Sequence, residues 1–303
     1  MQVNTRAGHE AQVERMAGLQ QQIDTLQGQI STGSRIDAPS DDPVGNSIAL
    51  RLRRAQDSGR ALGLALDGAS SRLGSTDIAL GSIAEILQRA REIGLTAANS
   101  TINAADRATL GRETVQLGEQ LLALANRRDA GGVPLFGGAL GQGDAFVRSA
   151  PTASGPGKVA WAGVGGAAVL AVGGSTVVAG FDGPSAFTGP DADAFALLDD
   201  LGTALAAPDA TRAGALALSL TGLEAAVGRV ADARAVVGTR QVRLDAESVQ
   251  LKDDWLALEK DVARVAGLDL PSAISRVQRL MVVLQATQAS FVKVNSLSLW
   301  DRL

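Results

Sequence analysis

One histidine and no cysteine limit what this chain could do with its side chains. A Ser-His-Asp arrangement would have to use His9, in a segment near the chain start with little around it to hold an imidazole. The zinc motif H-E-x-x-H needs two histidines and is impossible. The lack of cysteine removes disulfides, thiolate metal sites and cysteine nucleophiles together. Asp41 and Asp42 are adjacent carboxylates of the kind that ligate metals. The proline that follows supports a simpler reading, in which Asp42 caps the free N–H groups of a new helix and Pro43 takes its first position. Gly163-Val164-Gly165-Gly166 comes nearest to a phosphate loop, but no Gly-Lys-Ser/Thr follows, and it reads as a turn between strands. Asn99-Ser100-Thr101 matches a glycosylation sequon, a pattern short enough to arise by chance. No catalytic, cofactor-binding or metal-binding residue emerges, so the expectation is a protein that is not an enzyme and uses no cofactor.

What the sequence does specify is helices. Leu216, Leu223, Val230, Val237, Leu244, Leu251, Leu258 and Val265 recur every seven residues. Leu220, Val227, Arg234, Gln241, Ser248, Trp255 and Val262 complete a 4-3 spacing, the period that keeps one stripe facing a partner helix. At 1.5 Å per residue this segment alone is a rod of roughly 75 Å. A first helix over about 5–32 carries Met16, Leu19, Ile23, Leu26 and Ile30 opposite a glutamine-rich face, and Gly33 stops it. A second runs from 43 to about 99, with Leu52, Ala55, Gly59, Leu62, Leu66, Ala69, Leu73, Thr76, Leu80, Ile83, Leu87 and Ala90 in register. Asn103 with Asp106 opens a third helix, lined by Leu110, Leu117, Leu121 and Leu124, that folds back as an antiparallel hairpin.

Between 131 and 190 the pattern breaks, with sixteen glycines in sixty residues. Lys158–Val164, Ala168–Val172 and Thr176–Phe181 read as short strands of a β-rich insert. The alternative is a flexible linker, which repeated valine runs disfavour. Phe195–Ala207 is a return helix. Pro271 then interrupts the long C-terminal helix, and Ile274, Val277, Met281, Leu284 and Phe291 stripe a last one over about 272–296.

The expected fold is mainly α: long coiled-coil-like helices from both chain ends packed as a rod, with a small β-rich inserted domain. Three parts follow: residues 1–42 with 271–303, a terminal helical domain; 43–130 with 208–270, the rod; and 131–207, the insert with its return helix. The terminal stripes have little core to bury against, and short helices are marginal alone, so these ends should order on meeting a partner. Arg234, Gln241 and Ser248 interrupt the apolar seam, either as a register device on a partly solvated side or as a face reserved for a neighbouring subunit.

Composition agrees with a structural part. Hydrophobic residues make up 46% of the 303, but aromatics only 3% with no tyrosine, so the core should be built from Ala, Leu and Val. A net charge of −4 argues against nucleic acid, which needs clustered Lys and Arg. No run of 18 apolar residues occurs and the N-terminus lacks a secretory pattern, so neither membrane insertion nor a cleaved signal is expected. Taken alone, those features suggest a cytoplasmic protein.

Ser31-Thr32-Gly33-Ser34-Arg35-Ile36, then Asp41-Asp42-Pro43 and Ser47-Ile48-Ala49, resembles the N-terminal signature of bacterial flagellins and their junction relatives. Leu87-Gln88-Arg89-Ala90-Arg91-Glu92-Ile93 with Ala97-Ala98-Asn99-Ser100-Thr101 resembles the next family block. Three features resemble the junction members more than filament flagellin. These are Pro39-Ser40-Asp41-Asp42-Pro43, the exit Asn126-Arg127-Arg128-Asp129 through Leu135-Phe136-Gly137-Gly138, and the ending Ser296-Leu297-Ser298-Leu299-Trp300-Asp301-Arg302-Leu303.

The resemblance implies a structural subunit of the flagellum that joins hook to filament. Filament-forming flagellin is the alternative, and a cytoplasmic coiled-coil interaction module a further one. It implies a turn motif at Gly33, Arg35, Asp41, Asp42 and Pro43. It also implies a subunit and chaperone interface at Met16, Leu19, Ile23, Leu26, Ile30, Ile274, Val277, Met281, Leu284 and Phe291. The implied partners are copies of the chain in a helical tubular array, a proximal hook-associated protein, flagellin and a flagellar export chaperone. The implied location is extracellular, on the flagellum, reached by type III export without a cleaved signal.

Overall fold

The computed structural model describes residues 2–99, 102–139, 141–151, 157–172, 175–189 and 193–300. Ser100 and Thr101 of the sequon and residues 301–303 of the C-terminal ending lie outside them. Seven helices and four short strands are found among the described residues. The chain divides into a central unit, residues 61–251, and a terminal unit, residues 1–60 with 252–303.

The central unit holds the hydrophobic core, which runs from Leu66 to Leu244. Helix α2 (Pro43–Ala97) supplies Leu66, Ala69, Leu73, Thr76, Leu80, Ile83, Leu87 and Ala90, all buried, as the 4-3 spacing predicts. Helix α6 (Asp209–Ala266) lies antiparallel to it and buries Leu216, Leu223, Val230, Val237 and Leu244.

The second column of the α6 seam is a correction. The buried positions beside that first column are Ser219, Ala226 and Ala233, three residues on rather than four. Leu220 and Gln241 instead lie against glycines of α2. A Cβ at Gly94 would fall 2.8 Å from Leu220 Cδ2, and one at Gly74 would fall 3.8 Å from Gln241 Nε2. The small column lets α6 turn so that its larger side chains rest in these gaps. Arg234 lies likewise 3.8 Å from a Cβ built on Gly81. It also reaches Asp77 of α2, at 2.9 and 3.3 Å. The polar residue in the seam is thus answered within the chain, as a register device would be.

Helix α3 (Ala104–Ala125) starts where Asn103 accepts a hydrogen bond from the Asp106 amide at 2.9 Å. Arg89 of α2 crosses to Glu113 of α3 at 2.7 Å. The buried hydroxyls Thr76, Thr114 and Ser219 each donate to the carbonyl four residues back, so none is left unsatisfied in the core.

The described part of the insert contains paired strands rather than reading as a linker. Strands β1 (Phe146–Arg148) and β2 (Val159–Trp161) pair antiparallel, as do β3 (Val169–Val172) and β4 (Ser175–Val178). The strands are shorter than the valine runs suggest. Beyond the end of β2 the Trp161 indole folds over Gly163, where a Cβ would collide with the ring. β1 and the five-residue helix α4 (Gly183–Phe187) were not anticipated, being too short for any period to register.

The expected Ala, Leu and Val core is also incomplete. Phe136, Phe146, Phe181, Phe187 and Phe195 gather in one cluster, with Phe187 5.2 Å from Phe136, 4.9 Å from Phe146 and 5.5 Å from Phe195. Helix α5 (Ala194–Ala206) returns the chain and packs on α3.

The exit from α3 is fixed by side chains that imitate backbone. The Asn126 amide exchanges two 2.8 Å hydrogen bonds with the backbone C=O and N–H of Phe146. Arg72 of α2 pairs with Asp129 at 2.8 Å and donates to Pro134 O at 2.7 Å. From α6, Arg240 donates to Gly180 O at 2.6 Å and lies over the Phe181 ring.

Among the described residues, one helix, spanning residues 210–266, is by length and composition apolar enough to cross a membrane. Its apolar heptad is buried against the rest of the central unit from Leu216 to Leu244, as in the core helix of a folded domain.

Candidate assembly interface

The terminal unit contains helix α1 (Gln2–Thr32), helix α7 (Leu270–Trp300), the start of α2 and the end of α6. Helices α1 and α7 pair antiparallel. The His9 and Phe291 rings meet at a tilt of 43° with centroids 4.6 Å apart, and at the other end Ser34 bridges Gly267. His9 is therefore a packing residue here.

The expected stripe of α1 is the shielded one: Ile23 is buried, and Met16, Leu19, Leu26 and Ile30 are half-buried. Among the described side chains of α7 the shielded positions are Ala273, Val277, Leu280, Leu284, Thr287 and Phe291, spaced 4-3-4-3-4. Of the predicted α7 residues, Val277, Leu284 and Phe291 lie in this seam. Ile274 and Met281 lie outside it, 45% and 39% exposed, and Val282, Val283 and Val292 are more exposed than Met281.

This unit has almost no interior. Among the described residues its buried apolar side chains are Ile23, Ala49, Ala266, Ala273 and Val277, and three of the five are alanines. At about 25 cal/mol per Å² of apolar surface removed from water, so few small buried side chains offset little of the entropy of ordering the two 31-residue helices α1 and α7, which leaves this the less stable of the two units. Large apolar side chains stay exposed all around it, including Val13, Val44, Leu50, Trp255 and Leu256. With so little buried inside the unit, these exposed apolar side chains are available to meet protein.

A compact turn joins α1 to α2. Gly33 ends α1 at φ +69°, a conformation that costs glycine little and other residues much. Asp41 Oδ2 accepts from the amides of Asp37 and Ala38 at 3.1 and 2.9 Å and closes the loop. Asp42 Oδ1 accepts from the Gly45 amide at 2.8 Å, the expected cap of α2, with Pro43 at the first helical position. That hydrogen bond, and then the Arg35 guanidinium, hold the Asp42 carboxyl below its ordinary value. Gly45 is buried at this point, and a Cβ there would come within 2.4 Å of Asp42 Oδ2.

The turn is tied to the break between α6 and α7. Arg35 N donates to Ala266 O at 2.8 Å, and Leu268 N donates to Gly33 O at 3.2 Å. Arg35 Nη2 bonds both Asp42 Oδ2 and Val265 O, each at 2.9 Å. Pro271 does not make the break. It sits in the first turn of α7, behind Asp269, which accepts from the Ser272 hydroxyl at 2.6 Å; the chain leaves α6 at Gly267. The cross-link between the turn and this break was not foreseen, because nothing local in either segment signals the other.

Residues 3–140 match the bacterial flagellin N-terminal helical region. The chain is 29% identical to flagellar hook-associated protein 3 of Escherichia coli (strain K12), over 90% of both chains. It is 26% identical to flagellar hook-associated protein 3 of Salmonella typhimurium, over 99% of both. Flagellin A of Vibrio cholerae is 32% identical, over 40% of this chain and 32% of its own. A crystal structure of flagellar hook associated protein-3 from Legionella pneumophila has the same fold, with a TM-score of 0.63, 14% identity, and coverage of 71% of this chain and 98% of that one.

Proposed function

We propose, for a chain that belongs to the bacterial flagellin family, the role of a structural subunit of the flagellum that joins hook to filament. The observation that carries this is the extent of the similarity. It runs end to end with hook-associated proteins 3, through the insert, whereas flagellin A shares only about two-fifths of the chain.

In this reading each subunit is incomplete on its own. Residues 1–42 with 271–303 line an inner tube, 43–130 with 208–270 surround it, and 131–207 face outward. The seam of α1 and α7 and the exposed side of α7 are covered by neighbouring copies, by a proximal hook-associated protein below and by flagellin above. Ordering entropy is then offset at the moment of assembly by interface burial. Before that, an export chaperone shields the apolar side of α7 at Ile274, Val277, Met281, Leu284 and Phe291. The chain leaves the cell through the type III apparatus without a cleaved signal. It works without catalysis, nucleic acid or membrane insertion.

Complementation of a strain lacking the gene tests the role. The deletion should leave hooks without filaments, the intact gene should restore them, and Leu284→Asp should not, although its central unit stays folded. Filaments of normal number on the deletion strain would end the proposal.

A further inference from the structure

The last carbonyls of α6 and the first amides of α2 are separated by more than two hundred residues, yet a single ion pair serves both. Helix C-termini leave carbonyls without intrahelical donors, and N-termini leave amides without acceptors. Arg35 gives Nη2 to Val265 O and its backbone amide to Ala266 O, which provides donors for the end of α6. A cation is also favoured at that end of the helix dipole. Asp42 takes the Gly45 amide, which caps the start of α2, where an anion is favoured. The two side chains meet at 2.9 Å.

We propose that Arg35–Asp42 is a shared cap, so that the end of α6 and the start of α2 form together or not at all. As an ion pair alone it would count for little, since the side chains are 50% and 30% exposed. Its effect comes from what each partner does elsewhere. Asp42 holds the guanidinium where it reaches Val265 O, and the guanidinium holds the carboxylate over Gly45. The α6–α7 break therefore acquires its geometry only together with the closed N-terminal turn, and the two chain ends order as one. This coupling is a property of the chain by itself and stands whether or not the protein sits at a flagellar junction.

Amide exchange on the full chain in solution tests it, comparing wild type with Arg35→Met, Asp42→Ala and the swap that combines Arg35→Asp with Asp42→Arg. Each single change should speed exchange at both the Gly45 and the Leu268 amides by at least about fivefold, the factor of one lost helix cap. Amides of the central core, at Leu87 and Leu223, should keep their protection. The swap should remain as fast as the single changes. A carboxylate at 35 has no proton for Val265 O, and a guanidinium at 42 has no lone pair for the Gly45 amide. Restored protection in the swap would overturn the proposal and leave a simple charge pair. So would Arg35→Met acting at Leu268 alone with Asp42→Ala acting at Gly45 alone, which is the behaviour of two separate caps. Loss of protection at Leu87 would overturn it as well, since the effect would then not be confined to the two junctions.

Discussion

Leu223→Ala and Val277→Ala should part ways in a thermal melt of the free chain. Leu223 is fully buried in the central core and Val277 is 8% exposed in the seam of α7, so by burial alone the two look similar. Truncating a leucine in a packed core costs about 2–5 kcal/mol. For a unit of this size each kcal/mol moves the midpoint by about 2–4 °C, so Leu223→Ala should lower the main transition by roughly 4–20 °C. Val277→Ala removes two methyl groups, an upper limit near 1.5 kcal/mol, from a unit whose buried residues are mostly alanine. That loss should leave the main transition within about 1 °C of wild type and appear instead as failure to assemble. Circular dichroism follows the helices, and amide exchange assigns each transition to its unit. Equal shifts of one shared transition in the two variants would refute the reasoning, because the chain ends would then belong to the same core as residues 61–251.

Phe187→Ala empties the centre of the phenylalanine cluster and should cost about 3–5 kcal/mol, read as a loss of near-ultraviolet signal and protease protection in the insert with the long helices intact. Gly45→Ala places a Cβ 2.4 Å from Asp42 Oδ2, so it should displace the carboxylate and expose the Arg35 turn to protease, and unchanged cleavage there would count against the clasp. The Asp42 carboxyl is held below its ordinary value of 3.8 by the Gly45 amide first and Arg35 second. A depressed folded value means that its contribution is present above 3.8 and is lost as pH falls through the folded value. The Gly45 amide proton should therefore titrate with a midpoint under 3.8 in an NMR series, and a midpoint at or above it would contradict the capping geometry.

The helices were legible because long periodic segments record their partners in spacing. Leu66 to Ala90 and Leu216 to Leu244 are buried where the period placed them. The offset of the second column was not, since Ser219, Ala226 and Ala233 are too small to mark a stripe and the glycines that receive Leu220, Arg234 and Gln241 lie on another helix. The caps at Asp42 and Asn103 were readable from residue type and position, being local. The phenylalanine cluster draws on residues from 136 to 195 and has no period, so low aromatic content was misread as absence from the core. The clasp from Arg35 to Val265 is long-range in the same sense. On α7, Val277 and Leu284 fell in the seam while Ile274 and Met281 did not, because a five-residue stripe cannot tell the face toward α1 from the flank beside it.

Immunogold electron microscopy of whole cells, with antibodies raised against the insert, tests the central claim most directly. A single cluster of label at the boundary between hook and filament is the predicted result. Label along the whole filament would contradict it and make this a filament subunit, and an unlabelled surface with the insert accessible would remove the protein from the flagellum altogether.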